Sequence, residues 1–395
     1  MGPANLRLPP LSRCHRYRGA RVTVRILIGD CRERLKELPD ASVDSCVCDP
    51  PYHLTKPHDK RSMHGRDQGE INAKQFKRLA GGFMGQAWDG GDVAFQPDTW
   101  AEVRRVLKPG GHLIAFSGTR TYHRLAVAIE DAGFEIRDQL AWVYGSGFPK
   151  SLNLGDGWGT ALKPSWEPIA LCRNPLEGTN AANMAKYGVG GLNIDGCRIE
   201  TDVSEIIEQS GEALCAAHEG YQRPGRSMFT HKPKVRGGPG NDLGRWPANL
   251  CHDGSDEVVA GFPAEAGGRW GGERESTGNR SRQSGFGMTD GRSLDDSGSA
   301  ARFFYCAKAT TEERGEGNKH PTVKPVALMR WLVKLVTPKD GTVLDPFMGS
   351  GSTALACDAE QFDFIGCELS PEYADIAERR IRDAAGMFAD VRRAA

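Results

Sequence analysis

Two hydrophobic periodicities alternate along the first part of the chain. Val22 to Ile28 is a β-branched run that stops at Gly29-Asp30 and reads as a buried strand. Cys31 to Leu38 carries helical spacing and halts at Pro39. Ser42 to Cys48 predicts a second buried strand, which ends at Asp49-Pro50-Pro51-Tyr52 because consecutive prolines cannot continue a central strand. A helix follows over Thr99 to Leu107, closed by Lys108-Pro109-Gly110-Gly111, and His112 to Ser117 is a third strand. Tyr122 to Ala132 is helical, and Phe134 to Tyr144 is a strand that Trp166 to Cys172 can pair with across the loop Gly145 to Pro164.

From about Asn174 to Ser299 the periodicity weakens and glycine and polar residues dominate, most of all over Arg274 to Ser299. An irregular block of this length inside a regular α/β chain is normally functional. Regular patterning then returns. Pro325 to Val336 is an amphipathic helix, Thr342 to Asp345 a short strand, and Phe347 to Ser352 a glycine turn. Thr353 to Ala359 starts a helix, Phe362 to Cys367 is a strand ending at Glu368, and Pro371 to Ala385 is a final helix. Strand, glycine turn, helix, strand and acid form half of a doubly wound nucleotide-binding sheet.

Composition narrows this picture only in part. The 395 residues are 39% hydrophobic, enough to bury a core, and no apolar run reaches membrane-spanning length. The basic segment Met1 to Gly19 lacks the apolar centre of a signal peptide, so a soluble cytoplasmic protein is expected. The eleven cysteines are scattered without a C-x-x-C pair, which argues for buried thiols over a metal site or disulfide framework. Basic and acidic residues balance at 51 each, so indiscriminate attraction to nucleic acid is weak. Locally the balance breaks: Gly220 to Asn241 has no acid but holds Arg223, Arg226, Lys232, Lys234 and Arg236.

Two constellations carry chemistry. Asp49-Pro50-Pro51-Tyr52 stands at a strand's carboxyl end, where open α/β sheets bind ligands. An aryl amine is a poor nucleophile because its lone pair is delocalised into the ring. The Asp49 carboxylate and the Pro50 carbonyl are two acceptors for its N–H hydrogens, the prolines fix the backbone, and Tyr52 offers a flat face for a base. An amine held this way can attack a sulfonium methyl in line, without a covalent enzyme intermediate. A chance match to this tetrapeptide has a probability on the order of one in a thousand. The second constellation is Asp345-Pro346-Phe347-Met348-Gly349-Ser350-Gly351-Ser352, whose glycines allow close backbone approach to a ligand. Glu368, ending the next strand, is suited to ribose hydroxyls. No pyrophosphate fingerprint or phosphate-cradling lysine is present, so a nucleoside without phosphates is favoured over NAD or ATP.

Gly29-Asp30-Cys31, Asp49 to Tyr52, His320-Pro321-Thr322-Val323-Lys324-Pro325 and Asp345 to Thr353 agree in order and spacing with the β-group amino-DNA methyltransferases, which the chain resembles over residues 22–173 and 301–386. In that family the catalytic motif precedes the glycine-rich cofactor motif, with a target-recognition region between them. The resemblance implies a permuted, Rossmann-like class I methyltransferase fold: a seven-stranded, mostly parallel α/β sheet with the strand at 342–345 beside that at 43–48. It implies a catalytic half at 22–173, a recognition insertion at 174–300 and a cofactor half at 301–395; the segment 1–21, with Arg13, Arg16, Arg18 and Arg21, reads as a basic arm and a second candidate for DNA contact after Arg223 to Arg236.

The implied activity is sequence-specific methylation of N6 of a flipped adenine, with Asp49, Pro50, Pro51 and Tyr52 catalytic. S-adenosylmethionine is the implied cofactor, held by Asp30, Cys31, Asp49, His320, Thr322, Lys324, Asp345, Phe347, Gly349, Gly351, Ser352, Thr353 and Glu368. Among these, Glu368 holds the ribose, Asp30 lies near the adenine, and His320 to Lys324 approach the methionine end. Duplex DNA is the expected partner, with Arg223 to Arg236 as first candidates for contact. A homodimer reading a palindromic site is expected, and a cognate restriction endonuclease is left open. No metal is expected. N4-cytosine methylation uses the same geometry, but the family more often places Ser before Pro-Pro for cytosine and Asp for adenine. C5-cytosine methylation is disfavoured because no Pro-Cys occurs. A non-catalytic DNA-binding regulator, or a methyltransferase acting on RNA or protein, are the remaining alternatives.

Overall fold

Val43–Cys48 (β2) is buried at every position, as a strand covered on both faces must be. Its two polar residues are satisfied in place. The Asp44 carboxylate accepts from Lys108 Nζ at 2.6 Å and Thr342 N at 2.8 Å, and Ser45 Oγ lies 2.8 Å from Thr337 Oγ1. The computed structural model describes residues 22–53, 92–147, 151–199, 244–264, 299–307, 323–385 and 390–394.

In chain order the remaining strands are β1 Thr23–Ile28, β3 Leu107–Phe116, β4 Glu135–Val143, β5 Asn153–Gly155, β6 Trp158–Gly159, β7 Trp166–Arg173, β8 Leu250–His252, β9 Tyr305–Cys306, β10 Thr342–Asp345, β11 Asp363–Glu368 and β12 Asp390–Ala394. One sheet takes the order β12-β1-β11-β10-β2-β3-β7-β4-β8-β9, and β5 and β6 form a separate hairpin. Every neighbouring pair in the large sheet is parallel except β3/β7 and β7/β4.

The permuted order is as expected: β10 lies beside β2, with Val343 opposite Ser45 and Leu344 opposite Cys46. The strand number is corrected. The seven strands β1 to β4 in sheet order sit together in the middle, but β12 extends one edge and β8 and β9 the other, giving ten among the described residues. These additions are two to five residues long, too short for alternation to show in the sequence.

Helices cover both faces. Ile114 and Phe116 of β3 belong to a core with the helix Val326–Val336, while Leu113 and Ala115 face a second core with Trp100, Val103 and Ile129. This is the period-two alternation of a strand between two helical layers. Several boundaries differ from the sequence reading, two of them with a local cause. The helix expected over Thr99 to Leu107 runs Pro97–Val106, with proline in its first turn. Strand β3 begins at Leu107, so Lys108-Pro109-Gly110-Gly111 lies inside it. A register shift against β2 between Val43 and Ser45 absorbs the irregular residues, and a Cβ on Gly111 would meet the Asp44 carbonyl at 2.8 Å. Within the block read as irregular, Asn180–Tyr187 is a helix capped by the Thr179 side chain and ended by left-handed Gly188. Its buried Asn183 donates to the Pro109 and Val189 carbonyls, both at 2.8 Å. A polar residue at a core position hides the apolar stripe that would have marked this helix.

Candidate active site

The topology aligns four carboxylates. Strands β1, β11, β10 and β2 are parallel neighbours, so their carboxyl ends lie on one edge of the sheet. Asp30, Glu368, Asp345 and Asp49 stand at or just beyond those ends. All four line a cavity of about 680 Å³.

Each is held by local chemistry. Asp30 caps the turn that follows, accepting from Arg32 N at 2.9 Å, and pairs with the Arg32 guanidinium at 2.6 Å. The hydrogen bond from Arg32 holds its carboxyl below the ordinary value. Cys31 beside it is buried, which pushes its thiol up to about 12. Asp345 is 2% exposed. Its carboxylate accepts from Phe347 N at 3.0 Å and Thr353 Oγ1 at 2.5 Å, and burial nonetheless pushes it up to about 7. Glu368, 9% exposed, accepts from Gly349 N and Ser370 N, both at 2.8 Å. Burial raises its carboxyl against the pull of these N–H groups.

Of the residues expected at a cofactor, Asp30, Cys31, Asp49, Lys324, Asp345, Phe347, Gly349, Ser352, Thr353 and Glu368 all line this cavity. Gly351 does not. It adopts φ +84° at the head of the helix Ser352–Glu360, and a Cβ there would come within 3.1 Å of the Ala377 Cβ. Its glycine serves the turn and the packing of two helices. His320 and Thr322, the five basic residues Arg223, Arg226, Lys232, Lys234 and Arg236, and the arm at 1–21 lie outside the described residues. The sequence reading did not single out Arg32, Asp92, Val93, Met329, Leu369, Ser370, Glu372 or Tyr373, which also line it. Most of them follow directly on the motif residues.

Asp49 also belongs to a second, tighter group. Lys324 Nζ donates to Asp49 Oδ2 at 2.7 Å and lies 3.2 Å from Glu167 Oε2. The Tyr52 hydroxyl lies 2.8 Å from Asp49 Oδ1 and 3.1 Å from Glu167 Oε2, and accepts from Lys324 Nζ at 3.0 Å. Lys324 is 8% exposed. Burial would pull its ammonium down, but the Asp49 and Glu167 charges outweigh this and hold it above its ordinary value. Burial, followed by the same two charges, pushes the Tyr52 hydroxyl well up. Lys324 also stands 5.2 Å from the Tyr52 ring centroid and 5.0 Å from that of Phe116. Tyr52, expected only as a stacking face, is therefore a hydrogen-bonding partner of Asp49 as well. Pro51 lines the cavity and Pro50 is buried. Glu167 was missed. The signal available was a lone acid entering an apolar strand directly before Pro168.

The cavity's charge tests what it can hold. Its lining carries Asp30, Asp49, Asp92, Asp345, Glu368 and Glu372 against Arg32 and Lys324. Both cations are already committed to carboxylates. Such a lining suits a cationic nucleoside and opposes a pyrophosphate. Among the described residues no group of His, Cys, Asp or Glu is arranged to hold a metal ion, and no helix is long and apolar enough to cross a membrane.

A stability prediction follows from Asp345. Its folded-state value near 7 lies above the ordinary 3.8, so the folded chain holds this proton more tightly than the unfolded chain. The stability contributed is complete below about pH 4 and is lost as pH rises through about 7. Asp345→Asn keeps an acceptor for Phe347 N–H and cannot ionise. It should flatten the decline in melting temperature between about pH 4 and about pH 7. Parallel melting curves are the check, and an unchanged slope would assign the titration to another group.

Comparison with known proteins gives a family model, described as DNA methylase, that matches residues 43–379. The type II methyltransferase M.HindIII of Haemophilus influenzae is 23% identical over 379 residues, spanning 88% of this chain and 91% of that protein. Among solved structures, the M1.HpyAVI–SAM complex aligns at 16% identity and TM-score 0.40, covering 91% of this chain and 100% of the other. The PvuII DNA methyltransferase, described as cytosine-N4-specific, aligns at 15% identity and TM-score 0.46, covering 95% and 97%.

Proposed function

The chain belongs to the DNA methylase family, and from that membership we propose that it transfers a methyl group from S-adenosylmethionine to N6 of an adenine flipped out of duplex DNA. The observation that carries this reading is the juxtaposition of Asp49, at the end of β2, with an acid-lined cavity at the ends of β1, β10 and β11. S-adenosylmethionine supplies an electrophilic methyl on a sulfonium and carries no phosphate, in keeping with the charge of the lining. Glu368 would accept from the ribose hydroxyls while its oxygens remain fixed by Gly349 and Ser370 N–H. Asp30, Asp345 and Phe347 would complete the pocket.

The residues around Asp49 do the remaining work. The Asp49 carboxylate and the Pro50 carbonyl accept the two N–H hydrogens of the target amine, which restores lone-pair density on nitrogen and fixes its direction of attack. Extrusion of the base costs a few kcal/mol, which contacts elsewhere on the DNA must offset. The carboxylate at position 49 supports adenine, because the family pattern more often sets serine there for N4 of cytosine.

Sequencing modified bases in DNA from cells expressing the chain tests the reading directly. N6-methyladenine at one recurring site is the expected result. N4-methylcytosine would overturn the choice of base and keep the reaction type, and no new modification would overturn both. We further propose that Arg223, Arg226, Lys232, Lys234 and Arg236 bind phosphates. Neutralising all five should reduce the slope of log binding constant against log salt by about 0.9 for each phosphate that is no longer neutralised. An unchanged slope would remove the segment from the interface.

A further inference from the structure

Two hydrogen-bond donors, the Lys324 ammonium and the Tyr52 hydroxyl, sit between two carboxylates. Lys324 Nζ is 2.7 Å from Asp49 and 3.2 Å from Glu167. The Tyr52 oxygen is 2.8 Å from Asp49 and 3.1 Å from Glu167. The phenol has one hydrogen and can give it to only one of them. In the arrangement with the shorter distances, both Asp49 oxygens are occupied: Oδ2 by Lys324 and Oδ1 by Tyr52. One acceptor site on each oxygen remains, so an amine entering the site must share Asp49 with two donors already bonded to it.

Glu167 resolves this conflict. Its position in β7, beside β3 in the sheet, is independent of the loop that carries Asp49. It offers the same two donors a second acceptor a few tenths of an ångström further away. We propose that Glu167 is a positioning residue that takes over Lys324 and Tyr52 when the target base arrives, freeing Asp49 to accept the amine hydrogens. The inference rests on the proposed methylation reaction. The energetic case is that a part-buried ammonium left without its carboxylate is strongly unfavourable. Transfer to Glu167 keeps the ammonium paired, so the base competes with a shift between two partners and not with loss of an ion pair.

Single-turnover methylation with saturating labelled cofactor provides the test, on the DNA site found by modified-base sequencing. Glu167→Gln keeps the side chain's shape but removes the charge that balances Lys324. It should lower the single-turnover rate about tenfold, with the melting temperature and the cofactor dissociation constant, measured by calorimetry, unchanged. Glu167→Asp should recover part of the loss. The decisive comparison uses Lys324→Gln as background. If Glu167 acts by accepting Lys324, adding Glu167→Gln there should cost less than about twofold, a non-additive cycle. A Glu167→Gln rate equal to wild type, or the same loss in both backgrounds, would overturn the role of Glu167 and leave the methylation reading intact. Absence of methyl transfer by the wild-type chain would instead overturn that reading, and this inference with it.

Discussion

Asp49→Ala should produce a folded protein whose single-turnover methyl transfer is about a hundred- to a thousandfold slower than wild type, the scale seen when a site loses a group aimed at the reacting atoms. The carboxylate is the charged one of the two acceptors proposed for the amine, and alanine provides no substitute. The fold should survive for a reason visible in the structure. Removing one partner of a buried ion pair is usually costly because the other charge is stranded. Here Lys324 retains Glu167 at 3.2 Å, and the Tyr52 hydroxyl retains the same carboxylate at 3.1 Å. Cofactor affinity should change only a few-fold, since Asp30, Asp345 and Glu368 remain in the cavity. DNA affinity should also persist, because the phosphate contacts proposed for Arg223 to Arg236 do not involve Asp49. Asp49→Asn keeps one carbonyl acceptor and should fall between the two. Rapid-quench measurements with labelled cofactor read this out, and a rate for Asp49→Ala within a few-fold of wild type would remove Asp49 from the chemistry.

Much of this site could be read from the sequence because its parts are strand ends. A buried parallel strand is a short β-branched or apolar run, and its end is marked by whatever residue breaks the run. Gly29-Asp30, Asp49-Pro50, Asp345-Pro346 and Glu368 each break one. The sequence therefore located four carboxylates, and the family's permuted order placed β10 beside β2. What stayed hidden depends on contacts between distant segments. Lys324 and Asp49 are 275 positions apart, and nothing local to either indicates that they pair. Glu167 looks like an ordinary solvated acid at a strand entrance until β7 is set beside β3. The Asn180–Tyr187 helix was missed because Asn183 fills a core position, its amide consumed by Pro109 and Val189. Gly351 was assigned to the ligand because glycine motifs commonly approach cofactors. In the structure its glycine meets the left-handed φ of +84° and the close approach of Ala377, on a helix that the sequence patterning shows but cannot dock.

Glu368→Ala should weaken S-adenosylmethionine binding by roughly 1–3 kcal/mol, the range for hydrogen bonds to a charged acceptor, or about 5- to 150-fold in dissociation constant. Two effects add. The first is loss of the proposed acceptor for the ribose hydroxyls. The second concerns the loop itself. Glu368 fixes Gly349 N–H and Ser370 N–H, each at 2.8 Å, and so ties the glycine turn after β10 to the end of β11. Without it, two half-buried backbone donors lose their partner, and Gly349, at φ +54°, is released from one of the bonds that hold that conformation. Glu368→Gln separates the two effects. Its carbonyl oxygen can keep one N–H bond, so it should lose less affinity than alanine. Neither variant touches the Asp49, Lys324, Tyr52 and Glu167 group, so the single-turnover rate at saturating cofactor should stay within a few-fold of wild type. Titration calorimetry with the cofactor gives the dissociation constants. An unchanged value for Glu368→Ala would take this carboxylate out of the binding site, and a collapsed single-turnover rate at saturation would show that it acts on the chemistry and not on the cofactor alone.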